Sequence, residues 1–255
     1  MRSFRLFAAA LFALALFGAP VVVFAQNFTD TQRSDIETII KNYLVSHPEV
    51  LEEAMTELSK RQAAAETQKH EESITKNAST IFNSPRGVTV GNKDGDVTFV
   101  EFFDYNCGYC KRAMNDMMEL MKADPKLKVV LKEFPVLSQG SVEAAQVAVA
   151  VRMQDPTGKK YLDFHQKLLG GRGAADKARA LQAAKEAGLD TAKIEKDLAG
   201  PEVRATIEEN FKLAEAMGMN GTPSYVIGKQ IVIGAIGLEG LKEKIGVARC
   251  GKATC

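Results

Sequence analysis

The sequence predicts an α/β protein in which a β-α-β unit and a β-β-α unit are separated by an inserted helical domain. A helical arm precedes both units. Three observations lead to this fold class. Two apolar runs with strand character flank a helical run within residues 97–134, two short apolar runs follow residue 223, and helical periodicity fills residues 141–217.

Residues 1–25 are typical of a secretory signal peptide. Two basic residues, Arg2 and Arg5, precede an apolar stretch over residues 6–24, and Ala25 provides the small residue expected at a cleavage site. An uncleaved membrane anchor is the alternative, because the apolar stretch approaches the length of a membrane span. Export predicts a compartment in which disulfides persist.

The overall charge and the cysteines narrow the classes of function. The formal net charge is +1, with 33 Lys and Arg against 32 Asp and Glu, so nucleic-acid binding is not expected. The four cysteines form two close pairs, Cys107 with Cys110 and Cys250 with Cys255. Pairing sequence neighbours needs the least chain closure, so two local bridges are the simplest expectation.

Residues 26–84 predict a helical arm with one apolar face and a break at Ser46-His47-Pro48. The apolar face consists of Ile36, Ile39, Ile40, Tyr43 and Leu44, followed after the break by Val50, Leu51, Ala54, Met55 and Leu58, and it is repeated near the end of the arm by Ile74, Ala78, Ile81 and Phe82. Such a face must be buried. Self-association is favoured, because the domain that follows looks complete without the arm; a packed N-terminal subdomain is the alternative.

Residues 85–248 predict the main domain. A short edge strand at residues 88–90 precedes a nearly continuous apolar strand, Val97–Phe103, and a helix at residues 111–122 leads to a second strand at residues 128–134.

An insertion of four or five helices is expected at about residues 139–218. Two apolar runs around Gly228-Lys229 then predict a β-hairpin, and residues 238–245 predict a last helix. This order is that of a thioredoxin-like core interrupted by a helical domain. Residues 249–255 form a tail that carries the second cysteine pair.

The pair Cys107 and Cys110 lies between a strand and a helix, which suits a redox dithiol. A thiolate is the attacking species in disulfide exchange, and the free N–H groups of a helix N-terminus lower the pKa of a cysteine there. We expect Cys107 to be the exposed nucleophile and Cys110 the resolving thiol. Gly108 and Tyr109 are expected to tune the redox potential.

Other readings of this CxxC pair remain open. A structural disulfide is one, and a zinc site is another, although zinc needs two further ligands and no second CxxC is present. Copper(I) is favoured by soft ligands, and methionines follow on the next helix, although a Met stripe is more often core packing. The methionines are Met114, Met117, Met118 and Met121.

Two further residues are candidates for the same site. Glu101 is an acid within an apolar strand, where a buried carboxyl with a raised pKa can exchange a proton with Cys110; a solvent-facing acid is the alternative. Thr222-Pro223 precedes a strand, a position compatible with a cis peptide bond. The Cys250 and Cys255 pair is expected to be a structural clip, with a second redox pair as the alternative.

The segment Phe-Phe-Asp-Tyr-Asn-Cys-Gly-Tyr-Cys at residues 102–110, with Glu101 before it and Gly221-Thr222-Pro223-Ser224 downstream, resembles the periplasmic DsbA-like thiol:disulfide oxidoreductases. The similarity extends over about residues 83–245. It implies a thioredoxin fold with an inserted helical domain, Cys107 as nucleophile, Glu101 as a buried acid and a cis bond at Pro223 beside the dithiol.

Two features differ from the best-known oxidases of this family, which have Pro-His between the cysteines and Val before the cis-proline. Gly108-Tyr109 and Thr222 resemble the dimeric DsbC-type isomerases instead. The arm resembles that of ScsC-type isomerases, some of which are trimeric. The tail cysteine pair is not part of the family pattern.

The resemblance implies an exported protein disulfide isomerase that acts in the periplasm on unfolded or misfolded secreted proteins. No cofactor or resident metal is expected. A membrane redox partner of unknown identity and self-association through the arm are the expected interactions. The alternatives are a monomeric DsbA-like dithiol oxidase, a periplasmic copper-binding protein and a structural protein with a vestigial dithiol.

Overall fold

The computed structural model describes residues 28–255. The predicted signal peptide, residues 1–25, lies outside the described residues. Two compact units divide the chain between Ser59 and Lys60. No helix in the described part of the chain is long and apolar enough to cross a membrane.

The described part of the first unit consists of helix α1, Asp30–Ser46, and the start of helix α2, Glu49–Asn83. A capping box begins α1: the Thr29 hydroxyl accepts from Gln32 N–H, and the Gln32 side chain accepts from Thr29 N–H. None of the residues of α1 is buried, so its apolar side chains face outward.

The second unit has a five-stranded sheet of strand order β1-β3-β2-β4-β5, in which β2 and β3 are parallel and the other pairs are antiparallel. This topology confirms the predicted thioredoxin-like fold. Its elements in chain order are β1 (Val88–Gly91), β2 (Val97–Phe103), α3 (Gly108–Ala123), β3 (Leu127–Glu133), α4 (Gln139–Gln154), α5 (Lys159–Gly170), α6 (Lys177–Glu186), α7 (Thr191–Asp197), α8 (Pro201–Ala216), β4 (Ser224–Ile227), β5 (Gln230–Ile233) and α9 (Gly237–Cys250).

A separate apolar core covers each face of the sheet. The first core joins the sheet to α3, α5 and α9, and it includes both Cys107 and Cys110. Helix α4 packs against α5, α6, α7 and α8, which unites the inserted helices into one block. The block follows β3 in the chain. Because β2 and β3 are parallel, the block begins at the same end of the sheet as the active-site loop, which follows β2.

The second core contains a part of the chain that the sequence assigned to the arm. Ile74 and Ile81 of α2 are buried there against residues of α8 and the sheet. Ser73 Oγ also donates to the Ala216 carbonyl at 2.7 Å. These contacts place the end of α2 in the second unit, which begins at Lys60 rather than after residue 84.

Candidate active site

Strand β2 positions the dithiol because it lies at the centre of the sheet, hydrogen-bonded to β3 on one side and β4 on the other. All of its residues except Thr98 are buried. A three-residue loop then leads to Cys107, which is the N-cap of α3. The Cys107 sulfur accepts a hydrogen bond from the Cys110 backbone N–H at 3.4 Å.

Cys107 and Cys110 are both free thiols in this structure, so it does not contain the predicted active-site bridge. Of the two, only Cys107 has solvent-accessible surface, 7% against 0% for Cys110. A substrate sulfur can therefore reach Cys107 alone. The exposed Gly108 and Tyr109 lie between them, and the Arg112 guanidinium lies 4.4 Å from the centre of the Tyr109 ring.

The pKa values of the two thiols are driven in opposite directions. A hydrogen bond from the Cys110 thiol is the main cause that lowers the pKa of Cys107 to about 5, and the N–H groups of Cys110 and Tyr109 add to it. The same hydrogen bond, together with burial and the Glu101 charge, raises the pKa of Cys110 far above its usual value. At neutral pH the accessible sulfur is a thiolate and the buried sulfur holds its proton.

Glu101 lies beneath the dithiol on β2, opposite Leu131 of β3 and Tyr225 of β4. It is 2% exposed, so the solvent-facing alternative does not apply. Burial is the main cause that raises its pKa to about 8, followed by the charges of Cys107 and Asp116. A carboxyl group with this pKa can give or take a proton near neutral pH. Its role in exchange stays a prediction.

The segment before β4 faces the nucleophile. The Thr222-Pro223 peptide bond is cis, as the resemblance implies. The Cys107 sulfur lies 3.2 Å from the Thr222 carbonyl oxygen, to which only its protonated form can donate. The structure thus brings together Cys107, Cys110, Glu101 and the Thr222-Pro223 segment, which are separated by up to 122 positions in the printed sequence.

Two polar residues that the sequence analysis did not select hold the active-site loop. The buried Asp104 carboxylate accepts from the backbone N–H groups of Asn106 at 2.7 Å, Val136 at 2.9 Å and Leu137 at 3.0 Å. This links the loop before Cys107 to the segment after β3. The signal in the sequence is the run Asp104-Tyr105-Asn106, three polar or aromatic residues between an apolar strand and a CxxC pair.

Asn106 links the same loop to the inserted helices. Its side chain pairs with the backbone of Ala175 twice, accepting at 2.7 Å and donating at 2.9 Å, and it also donates to Ser141 Oγ at 3.0 Å. Asn106 immediately precedes Cys107. The position of the nucleophile is therefore fixed by both the sheet and the helical insertion.

Substitution Asn106→Ala is expected to lower the free energy of unfolding by about 2–3 kcal/mol, because it leaves partly buried partners without a hydrogen bond. Chemical denaturation of the reduced protein measures this. Asn115→Ala, at an exposed position of α3, is the matched control and should change stability by less than about 0.5 kcal/mol. Equal losses in both variants would contradict a latching role for Asn106.

A cluster of buried ionisable side chains lies beside the loop. The Tyr105 hydroxyl is 3.3 Å from His165 Nδ1 and 3.4 Å from the Tyr161 hydroxyl, and Tyr161 donates to the Glu133 carboxyl. Burial raises the pKa of Glu133 and lowers that of His165 to about 3. His165 is therefore neutral near pH 7, and the hydrogen bonds of the cluster tie the loop to β3 and α5.

The methionines of α3 contribute mainly to packing. Met114 and Met117 are buried in the first core together with Cys110. Within residues 28–255, no group of three or more His, Cys, Asp or Glu side chains is arranged to hold a metal ion.

The predicted C-terminal bridge is closed between Cys250 and Cys255. It is remote from the dithiol, because Arg249 beside it bonds Asp124, the residue that follows the last turn of α3, whereas Cys107 begins that helix. The structure therefore does not bring the two cysteine pairs together.

With this geometry in place, comparison with known proteins identifies the family. The model of the DsbA-like thioredoxin domain matches residues 98–246, which include the dithiol, the insertion and the cis-proline. The chain belongs to the DsbA-like thiol-disulfide oxidoreductase family. The model of the copper resistance protein ScsC N-terminal domain matches residues 32–65, within the arm.

Solved structures of DsbA-like proteins agree with this assignment. A thioredoxin-like oxidoreductase from Silicibacter pomeroyi is 43% identical, with a TM-score of 0.64, and covers 67% of this chain and 96% of its own. ScsC from Proteus mirabilis in a transitional conformation is 28% identical, with a TM-score of 0.63, and covers 87% of this chain and 97% of its own. The second match therefore includes part of the arm.

The chain spans only part of the length of the curated relatives that it matches. It covers 24% of the Na(+)/H(+) antiporter NhaA 1 of Salinispora arenicola, at 25% identity over 161 residues. It covers 64% of the thiol:disulfide interchange protein DsbA of Bordetella pertussis, at 26% identity over 138 residues.

Proposed function

We propose that this protein is an exported disulfide isomerase that acts through Cys107 and Cys110 on misfolded proteins of the bacterial periplasm. The observation that carries the proposal is that Cys107 holds the only accessible sulfur of the dithiol and has its pKa lowered to about 5. An isomerase must begin with a thiolate and must remain reduced. A stabilised thiolate serves both needs, because it lowers the free energy of the reduced form.

The reaction begins when the Cys107 thiolate attacks a substrate disulfide and forms a mixed disulfide. One substrate sulfur leaves as a thiolate, and that thiolate can attack another bond of the same substrate. That second attack releases a different substrate thiolate, and if this thiolate displaces Cys107, the disulfide has been moved and the enzyme is again reduced. If Cys110 displaces the substrate instead, the substrate is reduced and the Cys107–Cys110 bridge closes.

Glu101 controls the second outcome. In the reduced enzyme the Cys107 thiolate helps to raise the pKa of Glu101 to about 8, so the carboxyl is largely protonated at neutral pH. In the mixed disulfide the negative charge of Cys107 is gone, and the pKa of Glu101 falls. Its carboxylate can then take the proton of Cys110, which creates the resolving thiolate only after Cys107 has reacted.

Self-association through the arm is part of the proposal. Exposed apolar side chains recur on one face of α1, where Ile39 is 66% exposed and Tyr43 53% exposed. The match of this segment to the ScsC N-terminal domain supports a common role for the two arms. A multi-subunit assembly would surround a misfolded substrate with several dithiols. A membrane-bound reductant is the expected partner that keeps them reduced.

The variant Ile36→Lys/Ile40→Lys is expected to convert the oligomer to a monomer, because two buried charges would replace apolar contacts in the interface. Analytical ultracentrifugation measures the mass. Val45→Lys is the matched control, because Val45 is 73% exposed and lies on the opposite face of α1 from Ile36. A wild-type protein that is monomeric at micromolar concentration would contradict self-association.

The direction of the reaction is tested with two substrates. An isomerase restores activity to a scrambled, fully oxidised substrate, whereas a dithiol oxidase restores it only to a reduced one. A monomeric protein that oxidises reduced substrate and leaves scrambled substrate inactive would replace the isomerase proposal with the oxidase alternative. N-terminal sequencing of the protein from periplasmic extract tests export and cleavage after Ala25.

Copper(I) binding is a second candidate function, favoured by the match to the N-terminal domain of a protein described as a copper resistance protein. The ligands would be Cys107 and Cys110 with a methionine sulfur. Titration of the reduced protein with copper(I) tests it. If Cys107→Ala binds copper as the wild type does, the dithiol is not the copper site.

A further inference from the structure

The C-terminal tail, residues 251–255, is folded back onto α9 by the Cys250–Cys255 disulfide. Gly251 adopts a left-handed conformation with φ 78°, and its N–H donates to the Val247 carbonyl at 2.9 Å, which ends the helix. Both cysteines are exposed residues. A disulfide between two exposed residues outside the core can open and close without disturbing the core.

The tail packs closely against α9 at Gly246. A Cβ atom at Gly246 would lie 2.5 Å from the Ala253 carbonyl oxygen and 2.8 Å from that of Lys252, so only glycine lets the tail lie this close. The end of α9 is held separately, because Arg249 Nη2 contacts Asp96 at 2.8 Å and Asp124 at 2.7 Å. The contacts of Arg249 do not involve the bridge, so α9 retains this anchor when the bridge opens.

The two cysteine pairs of one molecule cannot meet. Arg249 fixes the tail beside the C-terminal end of α3, whereas Cys107 caps its N-terminal end. Helix α3 has 16 residues. At 1.5 Å per residue the separation is about 24 Å. Any exchange between the pairs must take place between two molecules.

We propose that Cys250 and Cys255 form a second redox couple whose substrate is the Cys107–Cys110 site of another copy of this chain. The inference rests on the proposed function, and it assigns the tail dithiol as an electron donor that returns an oxidised active site to its reduced form. The isomerase cycle needs such a donor whenever Cys110 has displaced a substrate.

The exchange balances in two steps. The Cys250 thiolate attacks the Cys107 sulfur of the other copy, and Cys110 leaves and takes up a proton. Cys255 then loses its proton and attacks Cys250, which closes the tail bridge and releases the Cys107 thiolate. Two electrons pass from the tail to the active site, and of the two tail protons one is taken by Cys110 and one passes to solvent. The membrane-bound reductant of the proposed function then supplies the two electrons, with two protons from solvent, that reopen the tail bridge.

The relative stability of the two thiol pairs sets the direction. The hydrogen bonds that stabilise the Cys107 thiolate favour the reduced active site, whereas the tail bridge is seated on Gly246 in its closed form. Cys250 attacks first because the sulfur of Cys255 is partly buried against the Gly246 carbonyl, 3.3 Å away.

Two full-length variants test the transfer. The acceptor of electrons is Cys250→Ser/Cys255→Ser with its active-site bridge closed, and the donor is Cys107→Ser/Cys110→Ser with its tail reduced. After mixing, acid quenching and alkylation, mass spectrometry reads the state of each pair. We expect the tail bridge to close at least tenfold faster than in the donor alone, and equilibrium to favour the closed tail by at least tenfold.

The same oxidised variant is mixed in parallel with an unstructured peptide that carries two cysteines. If the peptide is oxidised and the tail is not, the inference is overturned while the proposed chemistry of the active site stands. If neither is oxidised, both are overturned. A donor that also carries Gly246→Ala should form the closed tail to an extent at least threefold lower; an unchanged extent would mean that any exposed dithiol suffices, and would overturn a dedicated couple.

Discussion

Replacing Cys107 with serine is expected to reduce the rate of thiol–disulfide exchange by at least about 10³-fold, because the variant lacks its nucleophile. Cys107 is the only sulfur of the dithiol with accessible surface, and its pKa is lowered to about 5. No other group at the site can take its place, since Cys110 is fully buried and its pKa is strongly raised. Turnover of a fluorescent mixed-disulfide substrate at pH 7 measures the loss.

Cys110→Ser is the matched variant, and it separates attack from resolution. It retains Cys107, so it should still form mixed disulfides, and these should accumulate because the resolving thiol is absent. Non-reducing electrophoresis with a scrambled substrate would show the adducts. The assignment of the two roles is wrong if Cys107→Ser accumulates adducts and Cys110→Ser does not. Serine replaces the Cys110 thiol as the donor of a hydrogen bond to Cys107, which changes the pKa of Cys107. The pKa of Cys107 in this variant should therefore be measured from the absorbance of its thiolate at 240 nm.

The fold was predictable from the sequence because its signals are local. The change from strand-like runs to helical periodicity and back identified the thioredoxin-like core and its inserted helices, and the outward-facing stripe of α1 was visible in the spacing of its isoleucines. The CxxC between a strand and a helix needed no long-range information either.

The parts that the sequence did not reveal depend on contacts between distant positions. Asn106 and Ala175 are 69 positions apart, and neither looks exceptional until the loop and the insertion meet. For Ile74 and Ile81 the apolar spacing predicts a buried face, but it does not show whether that face packs on the same domain or on another copy; the structure places it against the sheet and α8. For Glu101, the strand pattern left burial and exposure open, and only its place in the central strand decides between them.

Glu101→Gln is expected to slow the resolution of mixed disulfides by about 10²-fold, a size typical for the loss of a general base. Glutamine keeps the shape of the side chain but cannot accept the proton of Cys110. The first step, attack by Cys107, should change by less than about threefold, because Glu101 is not among the groups that lower the pKa of Cys107. Single-turnover measurements with a preformed mixed disulfide separate the two steps, and an equal effect on both would exclude the proton-transfer role.

The same substitution is expected to change how the free energy of unfolding depends on pH. The pKa of Glu101 is about 8 in the folded protein against 4.5 for an ordinary glutamate, so the folded state binds more protons than the unfolded state between these pH values. The contribution of Glu101 to stability therefore falls as pH rises through this window. The pKa of Cys107 is shifted the other way, from 9.0 to about 5, so its contribution rises with pH over much of the same range. The two contributions partly cancel, and the wild-type protein alone cannot reveal either.

Comparison of wild type with Glu101→Gln isolates the carboxyl group, because both proteins contain the same Cys107. Between pH 5 and pH 8 the free energy of unfolding of the wild type should fall by about 3–4 kcal/mol relative to that of the variant. Urea denaturation of both reduced proteins across this range measures the difference. A constant difference would mean that Glu101 has an ordinary pKa. It would then be ionised before Cys107 reacts, and the formation of the mixed disulfide could not be the event that makes Glu101 a base.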